Sequence, residues 1–507
     1  MKIFAGIIVC VGVVSIANSL THSPKSVILP RVRIYLSALG CKLNESELEA
    51  WARRFAGDGY EIVNDAHAAD VIVLNTCTVT HVAARKTRQL ARQLARANPH
   101  ARLVLTGCFV TISPDEAKAL PNVALVVPNA SKDQLIEQIA AQGREWRIAN
   151  SEWQMANGKW REPSAISHHP YAISQSWLDA DVETQVAGQQ SLISNLQPSR
   201  LRTRAFVKIQ DGCNLACAYC IIPLARGEER SRPRDEIVNE VNALVDAGYK
   251  EIILTGVQIS AYSNLRKDSL RDLVATILAE TNVPRLRLTS IAPWNVDEAL
   301  LDLWRDARLC RHLHLSLQSG SDAVLHRMRR PYTTAQFAHA VELARAKIPD
   351  VGITTDVIVG FPGESDGEFE QSLQFVEQMQ FSRVHVFPYS KRDGTPAASL
   401  PNQVADAVKE SRVQQMQAIA DTSLRAFARR FVGRTLQVLW ETREKAKVKS
   451  QKDGKIHPSD FIPHPSMWWG YSDNYIRVAV ASDAELDNQF TSARVIDVTE
   501  DEVVVEL

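Results

Sequence analysis

The sequence predicts an α/β protein with three parts: an N-terminal parallel-sheet α/β domain, a central partial barrel of six βα units, and a small C-terminal all-β barrel. Strand and helix patterns alternate over residues 31–145 and again over residues 200–430, which is typical of parallel sheets. Residues 431–507 instead contain short strand patterns, with no helix between the last two. The length of the chain independently favours about three domains.

The composition is that of a globular protein. Hydrophobic residues make up 45% and charged residues 23% of the chain, which excludes a disordered or fibrous protein. The 58 basic residues equal the 58 acidic residues, so any surface for nucleic acid must be local. Eight cysteines are too few for a disulfide scaffold, and they favour a reducing compartment in which cysteine serves chemistry.

The first twenty residues, MKIFAGIIVCVGVVSIANSL, form an apolar run after one lysine. A signal peptide or a short anchor has this form, but the run is interrupted by glycine and polar residues and is short for a spanning helix. We interpret residues 1–30 as an N-terminal extension of a cytoplasmic protein without stable membrane association. The run also allows a membrane anchor.

Three strand patterns of the first domain, residues 31–145, each end in a cysteine: IYLSALGC (34–41), VIVLNTC (71–77) and LVLTGC (103–108). Helix patterns cover residues 44–56 and 79–97. Because ligands bind beyond the carboxyl ends of parallel strands, we expect Cys41, Cys77 and Cys108 to converge there. Any one of them alone would be interpreted as an ordinary buried thiol, but the repeated position favours a functional site.

Residues 146–199 lack a clear periodicity and are interpreted as a linker or an insertion. His168 and His169 lie within this segment. They have no acidic or cysteine neighbour at ligand spacing, so we interpret them as loop histidines.

The central domain, residues 200–430, contains six strand patterns, which is fewer than the eight of a closed barrel. They are AFVKIQ (205–210), EIILTG (251–256), RLRLTS (285–290), HLHLSLQS (312–319), ITTDVIVG (353–360) and RVHVFPYS (383–390). Helix patterns at 235–247, 269–280, 334–346 and 367–379 separate them. The count predicts a partial, open barrel.

The stretch CNLACAYC places Cys213, Cys217 and Cys220 directly after a predicted strand. Three is an odd number for disulfides, and a structural zinc site requires four ligands. Thiolates also select iron–sulfur clusters, and a cubane held by three cysteines keeps one iron open. The pattern therefore favours a redox cluster. Cys10 and Cys310 fit neither triad and are predicted to be unligated.

Local charge predicts an RNA surface. Residues 71–112 contain six basic and no acidic residues, residues 200–234 eight basic against three acidic, and residues 443–455 six against two. Pure basic stripes favour phosphate contacts, although a solvated helix face is the ordinary alternative. The predicted RNA contacts are Arg85, Arg88, Arg92 and Arg96 at helical spacing, and Arg226, Arg230 and Arg232 after the cysteine motif.

CNLACAYC resembles the C-x3-C-x2-C signature of the radical S-adenosylmethionine superfamily, whose usual fold is a partial (β/α)6 barrel. The flanking sequence RAFVKIQDGCNLACAYCIIPLARGEERSRP resembles the methylthiotransferases of that superfamily. Further stretches resemble the same family: SALGCKLNESE (37–47), NTCTVT (75–80), TGC (106–108), LTGVQISAY (254–262), SLQSGSDAVLHRMRR (316–330) and DVIVGFPGES (356–365). WGYSDNYIRV (469–478) resembles part of the TRAM domain, an RNA-binding β-barrel.

The resemblance implies two [4Fe–4S] clusters. Cys213, Cys217 and Cys220 would hold the cluster that binds and reductively cleaves S-adenosylmethionine, with the electron supplied by a reductant such as flavodoxin or ferredoxin. Cys41, Cys77 and Cys108 would hold an auxiliary cluster at which sulfur is delivered, from a donor that the sequence does not identify. The cofactor contacts predicted at the strand ends and beside the motif are Tyr219, Gly256, Ser316, Gln318, Asp356 and Gly360.

The resemblance also implies a substrate. GCKLNESE is most similar to the branch that methylthiolates carbon 2 of N6-threonylcarbamoyladenosine next to the tRNA anticodon, and this is the expected reaction. The alternatives are isopentenyladenosine in tRNA and an aspartate of a ribosomal protein. A protein that binds RNA through an iron–sulfur cluster without turnover is the alternative outside enzymes.

Overall fold

The computed structural model describes residues 32–150, 155–156, 159–160, 203–263, 268–444, 466–500 and 502–507. The expectations for residues 1–30, for His168 and His169, and for most of the basic run 443–455 lie outside these ranges.

The first domain is a parallel sheet with the strand order β2-β1-β3-β4-β5. Its strands are β1 (Arg33–Ala38), β2 (Glu61–Ile62), β3 (Val71–Thr76), β4 (Arg102–Gly107) and β5 (Val123–Val127). Its helices are α1 (Lys42–Gly57), α2 (His81–Ala97), α3 (Cys108–Ile112), α4 (Pro114–Lys118) and α5 (Leu135–Asn150). The three cysteine-terminated strands are thereby confirmed, whereas β2 and β5 were not predicted.

Helices cover both faces of this sheet, so its central strand is a continuous apolar run rather than an alternating one. All six residues of β3 are buried. Ile72 and Leu74 pack into the core under α2, while Val71 and Val73 pack into the core under α1. The chain then forms a short antiparallel pair, β6 (Met155–Ala156) and β7 (Lys159–Trp160).

The central domain is a partial parallel barrel, as predicted. Its six strands are β8 (Arg204–Lys208), β11 (Glu251–Thr255), β12–β13, β14 (His312–Leu315), β15 (Gly352–Val359) and β16 (Arg383–Pro388). The third of these is interrupted and consists of β12 (Arg285–Leu288) and β13 (Ser290–Ile291). A small ribbon of β9 (Gln210–Asp211) and β10 (Arg230–Ser231) flanks it. The strands pair in parallel in chain order within two sheets, β12-β11-β8 and β13-β14-β15-β16.

Helices cover the outside of the barrel. They are α6 (Ile222–Arg226), α7 (Arg234–Asp246), α8 (Leu270–Glu280), α9 (Glu298–Leu301), α10 (Asp322–Arg327), α11 (Thr334–Lys347), α12 (Asp366–Met379) and α13 (Asp406–Arg429). Capping boxes start three of them, at Ser269, Thr333 and Ser365, because a polar side chain there satisfies otherwise unpaired backbone N–H groups. In the described ranges, no helix combines the length and the apolar character needed to cross a membrane.

The C-terminal module is a closed five-stranded barrel with the order β17-β18-β19-β21-β20. Its strands are β17 (Thr435–Glu444), β18 (Ser466–Ser472), β19 (Arg477–Ser482), β20 (Phe490–Val498) and β21 (Val503–Glu506). Trp440 and Trp468 are buried at its centre. The predicted all-β barrel is therefore present.

The C-terminal module packs against the amino ends of the central strands. Arg287 of β12 is 1% exposed and donates hydrogen bonds to the carbonyls of Ser472 and Asp473. Next to this contact, Tyr475 stacks on His312 of β14, with 4.5 Å between ring centroids. The C-terminal module thus closes the bottom of the central barrel and leaves the carboxyl ends of its strands to the first domain.

Candidate active site between two cysteine triads

The first triad forms at the carboxyl edge of the N-terminal sheet, as expected. Cys41 caps α1, Cys77 follows β3 and Cys108 begins α3. The three thiols lie close enough for Cys41 and Cys108 each to raise the pKa of Cys77, although burial is the main reason that this pKa reaches about 12. Sequence reasoning therefore predicted the convergence of residues from three separate strands.

A glycine fixes the approach of Cys41 to Cys77. Gly40 has φ +106°, and a Cβ placed there would lie 2.7 Å from the Cys77 sulfur. Only glycine adopts this conformation readily and leaves room for the neighbouring thiol. A glycine of positive φ also precedes Cys108 and Cys213, at Gly107 and Gly212. The Gly-Cys dipeptides are thus a signal in the sequence that marks three of the six thiols.

Asparagines hold the loops around the first triad. Asn44 donates to the carbonyls of Leu39 and Thr76, at 2.6 and 3.2 Å. The side-chain amide nitrogen of Asn129 lies 3.6 Å from the Cys108 sulfur. It also donates to the carbonyl of Ala225 in the central domain. Cys41 keeps an exposed surface, whereas Cys77 and Cys108 are buried. We call the space that Cys41 faces the chamber.

The second triad lies in the loop between the β9 strand and α6. Cys213 and Cys217 are buried, and Cys220 is half-buried. The amide of Leu215 lies 3.4 Å from the Cys213 sulfur, and the amide of Cys220 donates to the carbonyl of Cys217 at 3.1 Å. Burial raises the pKa of the Cys220 thiol to about 12. These contacts fold the three thiols into one tight loop.

Polar residues that the sequence analysis did not identify support this loop. Arg330 donates to the Cys217 sulfur at 3.0 Å. Gln210 is fully buried; its amide nitrogen donates to the carbonyl of Gly212, and its oxygen accepts from the amide of Gln258. Gln258 and Arg330 belong to the family-like stretches 254–262 and 316–330, but only tertiary structure shows that they meet the thiols.

Both triads fit thiolate ligation of a metal cluster. All seven cysteines of the described residues are free thiols, so each triad offers three sulfurs for ligation. The Arg330 guanidinium places a positive charge within hydrogen-bond distance of the Cys217 sulfur, which suits a ligated, negatively charged sulfur. Bound metal replaces the thiol protons that burial otherwise retains.

A buried charge network joins the two triads. Glu47 of α1 is 4% exposed and pairs with Lys132 at 2.5 Å and with Arg226 at 3.2 Å. Arg226 also pairs with Asp211 at 2.9 Å and donates to Asn44 at 2.7 Å. These positive groups hold the pKa of Glu47 well below its usual range, although burial acts to raise it. The helix after the second triad is thereby fixed to the helix after the first.

This network corrects one predicted RNA contact. Arg226 is 3% exposed and bound to two carboxylates, so its guanidinium does not face a phosphate outside the protein. Arg232 is also engaged, with Glu240 at 2.7 Å and the carbonyl of Lys208 at 2.8 Å. Arg230 remains exposed. The local count of basic residues could not distinguish an inter-domain ion pair from a surface charge.

The basic face of α2 is directed outward at three of its four positions. Arg85, Arg92 and Arg96 are exposed. Arg88 is half-buried and pairs with Glu116 at 3.2 Å. Thr80 precedes the helix and caps it, because its side chain accepts from the amide of Ala83. Because Thr80 follows Cys77 closely, the exposed arginines extend away from the first triad along one surface.

Four predicted cofactor contacts lie around the second triad and the strand ends. Tyr219 is half-buried within the loop, where burial raises the pKa of its phenol well above the usual value. Gly256 approaches Gln210, because a Cβ there would lie 2.9 Å from the Gln210 carbonyl oxygen. Ser316 accepts from the Tyr332 hydroxyl through its carbonyl, and Gln318 adopts φ +70° beside Asp356.

Asp356 lies elsewhere than expected, whereas Gly360 lies at the expected end of β15 but packs against another helix. Asp356 is in the middle of β15, paired with His385, and not at the carboxyl end of that strand. Gly360 has φ +72°, its amide donates to Glu364, and a Cβ there would clash with Lys409 of α13. Glu364 in turn pairs with Arg412. Gly360 therefore belongs to a turn, Gly360-Phe361-Pro362-Gly363, that packs on α13.

The barrel interior contains polar groups that the sequence analysis left unassigned. Leu313 and Leu315 of β14 pack outward against the helices, so the alternate residue His314 faces inward. Its Nε2 lies 3.2 Å from Asp356 Oδ2, and its ring centroid is 6.1 Å from that of His385. Ligand atoms of His314, Asp356 and His385, the interior cluster, lie within 4.8 Å of one another.

Comparisons with known proteins agree with this architecture. Residues 207–376 match the Radical SAM superfamily, and residues 33–128 match the uncharacterized protein family UPF0004. A solved methyltransferase, TsrM from Kitasatospora setae, described as a radical S-adenosylmethionine enzyme with cobalamin and a [4Fe-4S] cluster bound, has a TM-score of 0.50 and 17% identity. The match covers 73% of this chain and 74% of that one, and at this identity it shows a shared fold alone.

Curated relatives are more similar in sequence. The threonylcarbamoyladenosine tRNA methylthiotransferase MtaB of Bacillus subtilis is 36% identical, covering 90% of this chain and 92% of its own. The protein of the same name from Thermotoga maritima is 35% identical, covering 80% and 86%. A tRNA-2-methylthio-N(6)-dimethylallyladenosine synthase of Akkermansia muciniphila is 33% identical, covering 81% and 88%. The chain therefore belongs to the radical S-adenosylmethionine family of tRNA methylthiotransferases.

Proposed function

We propose that this protein transfers a methylthio group to carbon 2 of N6-threonylcarbamoyladenosine next to the anticodon of tRNA. The observation that carries the proposal is the Glu47–Arg226 bridge, which fixes one cysteine triad beside the other. A single triad would support radical chemistry alone. Two adjacent triads fit an enzyme that must bring a sulfur and a radical to the same carbon.

Membership of the family implies a [4Fe–4S] cluster and S-adenosylmethionine. We assign this cluster to Cys213, Cys217 and Cys220, and we infer a second cluster on Cys41, Cys77 and Cys108. When bound, these groups supply the transferable sulfur and the one-electron cleavage of S-adenosylmethionine that activates the substrate carbon. The electron would come from a flavodoxin or a ferredoxin.

The residues around each triad would position these groups. Arg330 supplies a positive charge at Cys217, and the buried Gln210 fixes the backbone of Gly212 just before Cys213. Gly256, at the end of β11, lets the buried Gln210 pack against the backbone there, which holds Gln210 beside the second triad. Tyr219 would pack beside the cofactor.

The choice of nucleoside is supported by the relatives and by the motif after Cys41. Two of the relatives described above carry the threonylcarbamoyladenosine name, and a third carries the dimethylallyladenosine name. The stretch GCKLNESE favours the former branch. The exposed arginines of α2 and the closed C-terminal barrel offer two surfaces for the tRNA.

Nucleoside mass spectrometry tests the proposal directly. The anticodon-loop nucleosides of cells with and without the gene are compared, and the loss of 2-methylthio-N6-threonylcarbamoyladenosine in the deletion is the expected result. The purified, reconstituted protein with reductant and S-adenosylmethionine should then form that nucleoside on deletion-strain tRNA. An unchanged level in the deletion would refute the assignment, and a loss of the methylthio-dimethylallyl nucleoside would indicate the other tRNA branch.

Two further results separate the remaining alternatives. Methylthiolation of a ribosomal protein by the same preparation, with tRNA unchanged, would indicate the protein-substrate branch. Binding of tRNA without formation of 5′-deoxyadenosine would indicate a protein without turnover. In the proposed enzyme, Cys41→Ala should still cleave S-adenosylmethionine without forming product, whereas Cys213→Ala should do neither. Cys310→Ala is the matched control, because Cys310 is a buried thiol outside both triads.

A further inference from the structure

Lys42, the residue after Cys41, reaches the inside of the central barrel from the first domain. It is the first residue of α1, and α1 packs along the edge strand β8, where the Glu49 carboxylate accepts from the amide of Phe206. The Lys42 ammonium lies 5.6 Å from the ring centroid of Tyr475, which stacks on His312. Lys42 of the first domain therefore contacts Tyr475 of the C-terminal module inside the central barrel.

Contacts lead from Lys42 to the interior cluster: Tyr475 stacks on His312, His312 Nε2 lies 3.0 Å from Thr354 Oγ1, and His314 Nδ1 lies 2.9 Å from the same oxygen. The pKa of Asp356 is lowered mainly by His314, against the effect of burial, and Lys42 contributes to this lowering. Burial lowers the pKa of His385 to about 4, and Lys42 again contributes. At neutral pH, His385 is therefore uncharged. The charged groups that act on this part of the interior include the Lys42 ammonium, the Arg383 guanidinium and the Asp356 carboxylate, which lies 3.2 Å from His314 Nε2.

Lys42 forms no ion pair with any described residue, although the other lysine that projects from the first domain toward the barrel, Lys132, is paired with Glu47 at 2.5 Å. Lys42 is exposed to the chamber, so solvent supports its charge while the chamber is open. A substrate that fills the chamber removes this solvent, and an ammonium without an anionic partner is then costly. The arrangement favours a ligand that brings its own anion.

The interior cluster favours a polar ligand, because its charged and polar groups would otherwise lose solvent without gaining a partner. An apolar substituent beside Asp356 would give its carboxylate no donor beyond His314, and sites built from such groups reject ligands that cannot satisfy them. The cluster has the spacing of a cation site, but the neighbouring ammonium opposes a divalent cation through charge repulsion.

We propose that Lys42 and Asp356 form a subsite inside the barrel for an amino-acid substituent on the target adenine. Lys42 binds the carboxylate of the substituent, and Asp356, held by His314, accepts from its N–H and hydroxyl groups. Tyr475 supports the lysine from below through its ring face. This inference rests on the proposed function and deepens it, because it names the residues that distinguish a carbamoyl amino acid from an alkyl group.

A binding experiment with two RNAs tests the subsite without turnover. Both are anticodon stem-loops of one sequence; the first carries the threonylcarbamoyl group, and the second carries the same group without its carboxylate. Dissociation constants for the reconstituted protein are measured without reductant. The wild type should prefer the first RNA by about tenfold or more, the range of a charge-assisted hydrogen bond. Lys42→Met should reduce the preference to about one, and Lys42→Arg should retain part of it.

Lys118→Met is the matched control, because Lys118 is exposed at the end of α4; it should keep the wild-type preference. Asp356→Asn should weaken the binding of both RNAs equally, since both keep the N–H and hydroxyl donors. This second variant keeps the test informative if Lys42→Met loses iron. Equal binding of both RNAs by the wild type, or an undiminished preference in Lys42→Met, would overturn the subsite. Carboxylate-dependent binding without methylthiolation of tRNA would refute the proposed function alone.

Discussion

Arg226 and Glu47 lie 179 positions apart in the chain, and their side chains form a buried ion pair of 3.2 Å. Arg226 ends the short helix α6 after the second triad, while Glu47 lies in the helix after the first. The pair also links to Lys132 and Asp211. The relative position of the two triads thus depends on charges that are buried away from solvent. Removing one member of such an ion pair is costly, because the other charge stays buried without its partner.

We expect Arg226→Met to destabilise the protein strongly. The substitution leaves Asp211 and one side of Glu47 without their cation, and the loss of one partner of a buried pair costs about 3–5 kcal/mol. The thermal midpoint should fall by roughly 10 °C. Arg230→Met is the control: Arg230 lies 3.7 Å from the same Asp211 but is 52% exposed, so its removal should change the midpoint little. Similar midpoints for both variants would show that the bridge is not structural.

A second prediction concerns the glycine before Cys41. Gly40→Ala places a methyl group at the Cys77 sulfur and strains a backbone of φ +106°, so the first triad should lose its metal while the second retains it. The reconstituted variant should contain about half of the wild-type iron and still cleave S-adenosylmethionine. Gly57→Ala, at the end of α1 with no atom within 4 Å of the added methyl, should keep full iron. Full iron in Gly40→Ala would contradict this account.

Much of the fold was predictable because the patterns are local. The six strands of the barrel carry apolar runs bounded by helix patterns, and three cysteines within eight residues identify one triad. The convergence of Cys41, Cys77 and Cys108 followed from a general property of parallel sheets. The Gly-Cys dipeptides were visible in the sequence, but their meaning depends on a positive φ that only the structure gives.

What the sequence could not show is which charges meet across domains. Arg226 was predicted to be a surface residue because it lies among other arginines, yet its partner Glu47 belongs to another domain. Asp356 was expected at a strand end, but the register of β15 with β16 places it deeper, opposite His385. The inward direction of Lys42 depends on the packing of α1 against β8, which no local pattern encodes.

The exposed face of α2 predicts a salt-dependent contact with tRNA. Arg85→Gln with Arg92→Gln removes two exposed guanidinium groups from one face of the helix. Each lost phosphate contact should reduce the slope of log affinity against log salt by about one, so the double variant should lose about two. Arg271→Gln with Arg305→Gln is the control, because both side chains are exposed, at 53% and 81%, on other elements. An equal slope for both double variants would exclude α2 from the interface.

The last prediction concerns the contact between the central barrel and the C-terminal module. Glu251 is fully buried and accepts from Arg287 at 2.7 and 3.2 Å, and Arg287 also donates to the carbonyls of Ser472 and Asp473 in the C-terminal module. Although burial acts to raise it, Arg287 and Arg285 lower the pKa of Glu251 from 4.5 to about 2. The ionised carboxylate therefore stabilises the folded state at pH values above 4.5, and this contribution is lost as the pH falls toward 2.

Glu251→Gln should lower the thermal midpoint at neutral pH, because the Arg287 charge loses its anionic partner, at a cost of about 3 kcal/mol or more. The difference from the wild type should narrow as the pH falls below about 4.5, since a protonated glutamate and a glutamine are nearly alike. Cluster-free preparations are compared at each pH, because acid removes iron. Glu485→Gln is the control: its pair with Arg443 is exposed on both sides, so it should change the midpoint little at any pH. A constant difference between Glu251→Gln and the wild type across the acid range would show that the Glu251 carboxylate is not ionised in the folded protein.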